Sequence, residues 1–502
     1  MATFWTDCET ADPRVSVIVT ESDSNGTILA LGDESLLSQK GFYDRVESLA
    51  GGFVTGGFWD SHVHLLEFGR SLSRLRLGPD DDLPTILAKV RRRAAHTARD
   101  AWVIGAGWGG DVFGFASPIE ALDEAAGSHP ALLTSYDYHT VWFNRQAIKR
   151  LGLTGEEALS AGRTGLLREK RAFWAQEQAY SGSDSVKPLE GARRELCRLG
   201  LVGVTAMEPR DGFMAMQQTH AVHRGLRVQV FLWDDVAESL AQAGIKQGFG
   251  DDFLRVMGIK LFADGALGSR TAWMFEPYLG DQGNRGVATL DGDALKRWAQ
   301  RLGEDGLLAA VHAIGDMGVS EVAKALALYA SPDRPPLSRI EHAELLNDET
   351  LRLLARSKVG LSMQPAHLIF DREPAARYWG ERTRAAFRFK DILQQNVLLA
   401  FGSDAPIASP DPVLGLWAAV HRSDSGDNPW HSEQRLTPDQ AIWCYTRGPA
   451  LMDGRPSGLV APGYWGDFTV WREDPRVGLA LGERDRLAVL TTVVAGRRVA
   501  QG

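Results

Sequence analysis

Two histidines separated by one residue, His62 and His64, are the first pair in the chain whose type and spacing could do chemistry. They end an apolar run that is typical of a β-strand, and alternate side chains of a strand lie on the same face. Two imidazoles on one face can bind one metal ion. Such a pair also arises by chance, so the motif alone leaves a structural role open.

Three further groups that could bind a metal stand at the ends of later apolar runs: His312, His342 and Asp404. In barrels of alternating strands and helices, catalytic groups lie at the carboxyl ends of the strands. Each histidine taken singly could be an ordinary core residue. Because four of the chain's 12 histidines fall at such ends together with an aspartate, the pattern favours a metal centre.

Lys260 lies near the end of another predicted strand, in the run 256–265. As an ammonium group beside a divalent cation it would be repelled, so it would have to lose its proton or be modified. Reaction with carbon dioxide would give a carbamate, which is an anionic ligand. The structural alternative is a salt bridge from Lys260 to a nearby acid such as Asp264.

The elements that would position these residues are eight short apolar runs that alternate with longer amphipathic stretches. This alternation predicts an α/β fold, a (β/α)8 TIM barrel. Strand-like segments near both chain ends predict a small β-sandwich built from both termini. The eight runs are 57–64, 203–208, 226–233, 254–263, 307–312, 338–342, 358–364 and 397–404.

The interval between the first and second runs is too long for one helix, so it predicts an inserted subdomain. We expect five segments: 1–55 as the N-terminal part of the β-sandwich, 56–80 as the region of the first barrel strand, 81–195 as the inserted subdomain, 196–450 as the rest of the barrel, and 451–502 as the C-terminal part of the β-sandwich.

The composition is that of an ordinary globular protein and is compatible with a pocket for a small-molecule substrate. A net charge of -9 over 502 residues, with charges of both signs interspersed, argues against a nucleic-acid partner. Three distant cysteines cannot build a disulfide framework, which favours a reducing cytoplasm. No apolar run approaches ~18 residues and no leader is evident, which argues against a membrane partner. The sequence leaves a homodimer open.

Taken together, the motifs resemble the amidohydrolase superfamily, specifically the amidohydrolase 3 group that includes N-substituted formamide deformylases. The resemblance covers nearly the whole chain and implies the barrel, the small β-sandwich and a metal-dependent hydrolase. The segments that carry it are 57–64, 260–272, 311–316, 339–343, 402–406, 462–463 and 466–468.

The resemblance also implies two divalent metal ions, expected to be zinc. The two imidazoles of the first motif would hold the more buried ion together with Asp404. A carboxylated Lys260 would bridge to the second ion, which His312 and His342 would hold. A hydroxide shared by the metals would attack the substrate carbonyl, and Asp404 would carry the proton to the leaving nitrogen.

Five residues are weaker candidates for substrate binding: His139, Arg270, Trp108, Trp142 and His367. His139 matches a family segment that reaches the active site, although the neighbouring Tyr138 stands where a small residue is common; an ordinary buried histidine is the alternative. Arg270 could bind a carbonyl or carboxylate, or brace its own loop. His367 ends the seventh strand and could line the pocket or belong to the core. The two tryptophans could be pocket walls or core.

We therefore expect an enzyme, a metal-dependent hydrolase acting on carbon-nitrogen bonds other than peptide bonds. Its substrate would be an amide, an N-formyl compound or a related carbonyl compound with an apolar substituent. The alternatives are a hydrolase of an ester, lactone or carbamate on the same site, or a metal-bearing binding protein without turnover. A deaminase or lyase with one metal would not need Lys260 as a ligand.

Overall fold

The computed structural model describes the chain except for residues 23–24, 79, 110–117, 136–139, 155–164, 169, 181–184, 221–223, 330–336, 426–427 and 502. The backbone divides into two compact units, one formed by Met1–Phe68 with Leu189–Gly502 and the other by Gly69–Pro188. The finer domain boundaries given above stay predictions.

A barrel sheet of parallel strands occupies the larger unit, and each of the eight apolar runs overlaps one of its strands. The strands follow one another around the sheet in chain order, so the predicted (β/α)8 architecture is confirmed. They are β1 (Phe58–Val63), β2 (Leu201–Glu208), β3 (Arg227–Trp233), β4 (Leu254–Phe262), β5 (Leu308–Ala313), β6 (Arg339–His342), β7 (Gly360–Met363) and β8 (Leu399–Phe401). A two-residue strand, Phe249–Gly250, pairs with β4.

The barrel closes between β1 and the segment that follows β8. The amide of Asp404 donates a hydrogen bond of 2.7 Å to the carbonyl of His62, and the amide of His64 donates one of 2.9 Å to the carbonyl of Ala405. The last barrel connection is therefore made by the same residues that the sequence singles out as metal ligands.

Helices connect the strands, and their ends follow ordinary capping rules. In helix Gly292–Asp305, the side chain of Asp291 accepts from the amide of Ala294, and Gly306 ends the helix in the left-handed conformation at φ 71°. Leu295, Ala299 and Leu302 lie on one face of this helix and are buried, as expected for a helix packed on a sheet.

Two helices cross the boundaries between the units, Leu65–Ser71 and Val186–Arg198. The larger unit also contains the helices Arg210–His220, Ala237–Gln242, Asp316–Tyr329, Asp348–Arg356, His367–Trp379, Phe389–Gln394, Pro412–His421, Pro438–Tyr445, Arg447–Met452 and Pro475–Leu481. Short 3-10 helices span Glu34–Gln39, Asp234–Val236, Gly380–Ala385, Ser432–Gln434 and Arg484–Arg486. Within the described part of the chain, no helix is both long and apolar enough to cross a membrane.

A seven-stranded sheet combines strands from both chain ends, as predicted. Segments near the chain ends form two antiparallel pairs in it, Val17–Glu21 with Ile28–Gly32 and Phe468–Trp471 with Val489–Val494. It also contains three strands that the sequence did not predict, Ala2–Glu9, Arg45–Gly56 and Arg497–Gln501, of which the first two pair in parallel. Across the sheet the strands run in the order Arg497–Gln501, Val489–Val494, Phe468–Trp471, Arg45–Gly56, Ala2–Glu9, Val17–Glu21 and Ile28–Gly32.

The second unit has a sheet and a core of its own. Its strands lie in the order Leu166–Arg168, Thr140–Phe143, Ala131–Ser135, Val103–Trp108 and Leu75–Arg76. Its helices are Leu83–Ala95, Pro118–Ala126, Arg145–Leu151 and Lys170–Tyr180.

An ion pair with no exposed surface joins the barrel to the terminal sheet. Arg227, at the start of β3, donates from Nε and Nη2 to the two carboxylate oxygens of Asp467, at 2.6 and 3.1 Å. The ring of Trp465 stacks under the guanidinium at 4.0 Å, and Asp467 also accepts from the amide of Ala495. Such a pair is costly to break from one side, because the remaining charge stays buried.

We therefore expect Asp467→Leu to lower the free energy of unfolding by about 3 to 5 kcal/mol, because it leaves Arg227 buried without its partner. The double variant with Arg227→Met should recover part of that loss. The measurement is denaturant unfolding followed by far-UV circular dichroism. The control is Glu238→Gln, at an exposed ion pair with Arg301, which should change stability by less than about 1 kcal/mol. A loss below 1 kcal/mol for Asp467→Leu would mean that this ion pair does not hold the sheet to the barrel.

Candidate metal centre

The carboxyl ends of the barrel strands bring His62, His64, His312, His342 and Asp404 into one cluster. The rings of His62 and His342 lie 4.9 Å apart and those of His312 and His342 lie 4.5 Å apart. Oδ1 of Asp404 lies 3.4 Å from Nε2 of His62 and 3.3 Å from Nε2 of His64. One potential ligand atom each from His62, His342 and Asp404 lies within 4.8 Å of the other two, which is close enough for a shared cation.

His62 is oriented by a carboxylate that the sequence reasoning did not single out. Oε2 of Glu341 lies 2.7 Å from Nδ1 of His62, and Nε of Arg339 lies 2.7 Å from the other oxygen of Glu341. Burial alone would raise the pKa of Glu341, but Arg339 and His62 outweigh it and lower the pKa to about 2. An ionised carboxylate can only accept, so Nδ1 of His62 carries the proton and Nε2 presents a lone pair.

Backbone carbonyls orient the rings of His64 and His312, as the carboxylate of Glu341 orients that of His62. Nδ1 of His64 lies 2.9 Å from the carbonyl of Met207, and Nε2 of His312 lies 3.1 Å from the carbonyl of Gly265. A carbonyl cannot donate, so each of these nitrogens carries a proton and the other nitrogen of the ring is left as a potential ligand.

Burial sets the charge state of three of the four imidazoles in the cluster. It is the main cause that lowers the pKa of His62 to about 4 and that of His312 to about 3, and it holds the pKa of His342 well below its ordinary value. Burial would raise the pKa of Asp404, but His62 and His64 outweigh it and keep that pKa well below its ordinary value. Burial would also lower the pKa of His64, but Asp404 outweighs it and raises that pKa. Neutral imidazoles at His62, His312 and His342 beside an ionised carboxylate are protonation states that bind metal.

Lys260 is buried, with 1% of its surface exposed. Its Nζ has no hydrogen-bond partner and no acid within ion-pair distance among the residues described. The alternative salt bridge to Asp264 is not formed, because Asp264 accepts backbone amides of Trp273 at 2.9 Å and of Ile314 at 3.0 Å. Burial lowers the pKa of Lys260 to about 8, which favours the neutral amine that reacts with carbon dioxide.

Asp60 ties the first motif to the loop of Asp404. Its carboxylate accepts from the amide of His62 at 3.1 Å and from the amide and hydroxyl of Ser403, the amide at 2.9 Å. Asp404 itself has a left-handed backbone at φ 61°, which is uncommon for a residue with a side chain and is often found at functional sites. Asp60 therefore holds together the two segments that carry the candidate ligands His62 and Asp404.

His367, a predicted substrate residue, lies against the cluster at the start of helix His367–Trp379. Its Nε2 is 4.0 Å from Oδ2 of Asp404, and its Nδ1 is 3.8 Å from Oε1 of Glu344. Burial would lower the pKa of His367, but Glu344 outweighs it and raises the pKa to about 9. Glu344 is a second buried acid that the sequence reasoning missed, although it stands two residues after His342.

The other substrate candidates lie in different surroundings. Arg270 donates from Nη1 to Asp281 at 2.8 Å, so its guanidinium is held within its own loop. Trp108 and Trp142 pack edge to face in the core of the second unit, with ring centroids 6.4 Å apart, which is the core packing that the sequence left open. His139 lies outside the described residues. Substrate contacts by these four residues stay predictions.

Two aromatic residues that the sequence reasoning did not propose as pocket walls border the cluster. Phe262 is paired across the sheet with His312, its ring centroid is 5.6 Å from the His312 ring, and 36% of its surface is exposed. Trp233 lies edge to face against it at 6.2 Å. Phe262 is two residues after Lys260 and therefore on the same strand face, which is the signal that could have identified it.

Comparison with known proteins decides the family. The model of the amidohydrolase family matches residues 45–500. The chain belongs to this family. It is 28% identical to the protein YtcJ of Bacillus subtilis (strain 168), over 99% of this chain and 98% of that protein. It is 24% identical to an N-substituted formamide deformylase of Arthrobacter pascens, over 97% and 96% of the two chains.

A crystal structure of an uncharacterised metal-dependent hydrolase from Pyrococcus horikoshii OT3 superimposes with a TM-score of 0.82 at 26% identity, covering 95% of this chain and 98% of that one. This amidohydrolase is therefore a metal-dependent hydrolase, of the class that acts on carbon-nitrogen bonds other than peptide bonds, as the sequence predicts.

The residues present fit a cation. Buried atoms of four residues have no hydrogen-bond partner within the described chain, namely His62 Nε2, Lys260 Nζ, His342 Nδ1 and Asp404 Oδ1. Unpaired buried polar atoms are costly, and several of them in one place indicate a ligand that satisfies them.

We expect Glu341→Gln to weaken metal binding about 10- to 100-fold, because groups that orient a metal-ligating histidine typically contribute that much. The measurement is competition for zinc with a chromophoric chelator. The matched control is Glu349→Gln, an exposed position on helix Asp348–Arg356, which should leave the affinity unchanged. Equal affinities in the two variants would remove Glu341 from metal binding.

Proposed function

We propose that this amidohydrolase uses two divalent cations to hydrolyse the C–N bond of an amide, an N-formyl compound or a related carbonyl compound with an apolar substituent. The observation that carries the proposal is Lys260, a buried lysine with no acid partner among the described residues, beside four histidines and an aspartate. A structural lysine would be expected to pair with an acid such as Asp264, which here accepts backbone amides instead.

The six residues divide between the two cations as the resemblance implies. His62, His64 and Asp404 would hold the more buried ion, and His312 and His342 would hold the second. Lys260, as a carbamate, would offer one oxygen to each. When bound, such ions, expected to be zinc, lower the pKa of a coordinated water and polarise a carbonyl.

Asp404 is the residue that moves the proton. Its carboxylate lies between the imidazoles of His64 and His367. One oxygen is 3.3 Å from Nε2 of His64 and the other is 4.0 Å from Nε2 of His367. An ionised carboxylate at this position can accept the proton of the attacking water and then deliver it to the leaving nitrogen. The contact with His367 would orient the second oxygen for that transfer.

Phe262 and Trp233 support an apolar substituent on the substrate. They are the aromatic side chains next to His312 at the ends of β3 and β4, and Phe262 is partly exposed. Aromatic walls beside a few polar groups are typical of sites for small organic molecules. The relative that is named an N-substituted formamide deformylase supports an N-formyl compound as one member of the substrate class.

A substrate panel tests the reaction. We expect the zinc-loaded protein to hydrolyse N-formyl or N-acyl amines, more efficiently with aromatic than with small substituents, and the metal-stripped protein to be inactive. Asp404→Asn is the inactive reference and should lose at least ~10²- to 10⁴-fold in rate, because the amide cannot transfer the proton. Turnover of only esters, lactones or carbamates would identify the alternative hydrolase. No turnover of any compound would favour the metal-bearing binding protein.

Lys260→Ala tests the two-metal arrangement. We expect its metal content to fall toward one ion per chain with loss of most activity, because the bridging ligand is gone, and we expect acetate or propionate to restore part of both. Metal analysis and turnover are measured together. The matched control is Lys324→Ala, at a partly exposed lysine paired with Glu321, which should keep both. Full metal content with near-normal turnover in Lys260→Ala would mean that Lys260 is structural.

A further inference from the structure

A row of buried charged side chains runs from His62 to the loop that follows helix Arg447–Met452. Its members, in order, are Glu341, Arg339, Asp453 and Arg455, each at most 5% exposed. The first two lie on β6 and the last two lie in the loop. The amide of Leu337 donates at 2.9 Å to the carbonyl of Met452, so the loop lies at the amino end of β6. The candidate metal ligands lie at the other end of that strand.

Arg339 contacts both the side chain that orients His62 and the backbone next to it. Its Nε lies 2.7 Å from Oε1 of Glu341, whose other oxygen lies 2.7 Å from Nδ1 of His62. Its Nη2 donates at 2.9 Å to the carbonyl of Ser61, the residue before His62. The nitrogens of a guanidinium are fixed in one plane, so the position of Arg339 determines where both contacts are made.

Asp453 holds the third nitrogen of that guanidinium. Its Oδ1 lies 3.6 Å from Nη1 of Arg339, and its Oδ2 accepts from Nη2 of Arg455 at 3.1 Å. The guanidinium of Arg455 in turn stacks on the ring of Trp59 in β1, at 3.4 Å from the ring centroid. One carboxylate is therefore shared by two arginines, of which one packs on β1 and the other leads to His62.

The charges in this row alternate, with two acids between and beside two arginines. A buried charge is costly when its partner is removed, so the side chains next to a neutralised member must rearrange. If Asp453 lost its charge, the Nη1 side of Arg339 would lose its anchor, and the guanidinium could turn. Glu341 would then move with it, because the two side chains are in contact.

We propose that Asp453 is a positioning residue of the metal centre, acting on His62 through Arg339 and Glu341. This inference rests on the proposed function, in which His62 is a metal ligand. Groups that orient a ligating histidine contribute to metal affinity even though they do not touch the metal. The structure extends that role along β6 to a carboxylate at the amino end of the strand.

A double-mutant cycle of zinc affinity tests the proposal. Asp453→Asn keeps the shape of the side chain and an oxygen for Arg455, but it removes the charge. We expect it to weaken zinc binding about 3- to 10-fold in the otherwise unmodified chain, as for coupled neighbours. In the Glu341→Gln background we expect less than about a twofold further effect, because the row is already interrupted. The measurement is competition with a chromophoric chelator. Equal factors in the two backgrounds would overturn the proposal.

The matched control is Asp467→Asn, the same substitution at another buried carboxylate that pairs with an arginine, Arg227. It should lower the free energy of unfolding and leave zinc affinity unchanged, because its ion pair joins the barrel to the terminal sheet. If Asp467→Asn weakened zinc binding as much as Asp453→Asn, the loss would reflect general destabilisation and the proposal would be wrong.

Arg339→Lys is a second variant, which tests the row even if Asp453→Asn fails to fold. Lysine keeps the positive charge, but one ammonium cannot contact Glu341, Ser61 and Asp453 in the same geometry. We expect weaker zinc binding, and an unchanged affinity would overturn the proposal. Because the readout is zinc binding, a protein that binds zinc but hydrolyses no compound would contradict the proposed hydrolysis without affecting this cycle.

Discussion

The closure of the barrel by main-chain hydrogen bonds between β1 and the segment after β8 is the constraint on which the site depends. The carbonyl of His62 binds the amide of Asp404, and the amide of His64 binds the carbonyl of Ala405. Asp60 adds a side-chain tie to Ser403. The same short stretches thus complete the sheet and carry the proposed metal ligands, so backbone geometry sets the distances between these candidate ligand atoms.

The alternation of short apolar runs with amphipathic stretches was enough to locate the eight barrel strands and the candidate metal ligands at their ends. His312, His342 and Asp404 each follow a short apolar run, and the carboxyl ends of parallel strands must meet at one end of a barrel. The strands Ala2–Glu9 and Arg45–Gly56 were missed because their apolar residues do not form a clear alternation, and Arg45–Gly56 also pairs with the distant strand Phe468–Trp471.

The residues that support the ligands could not be predicted in the same way. Glu341 and Glu344 flank His342 within two residues, yet only the fold shows that one contacts His62 and the other His367. Trp108 and Trp142 are a second case, since an aromatic residue in a sequence is equally suited to a pocket wall and to a core. Contacts between segments that are distant in sequence determine which role an aromatic residue has, and the composition carries little information about those contacts.

The terminal sheet is completed only late during synthesis of the chain. The strand Phe468–Trp471 lies between the N-terminal strands and the last two strands of the sheet. The residue before it, Asp467, forms an ion pair with Arg227. On the ribosome, the sheet that contains the strands Ala2–Glu9 to Arg45–Gly56 can therefore be completed only after the strands Phe468–Trp471 to Arg497–Gln501 have emerged. The cluster of candidate ligands also forms late in translation, because Asp404 can approach His62 only after β8 has been synthesised. A nascent chain therefore lacks a closed barrel for most of its translation, and the proposed metal site can be completed only after β8 and the segment that follows it have been made.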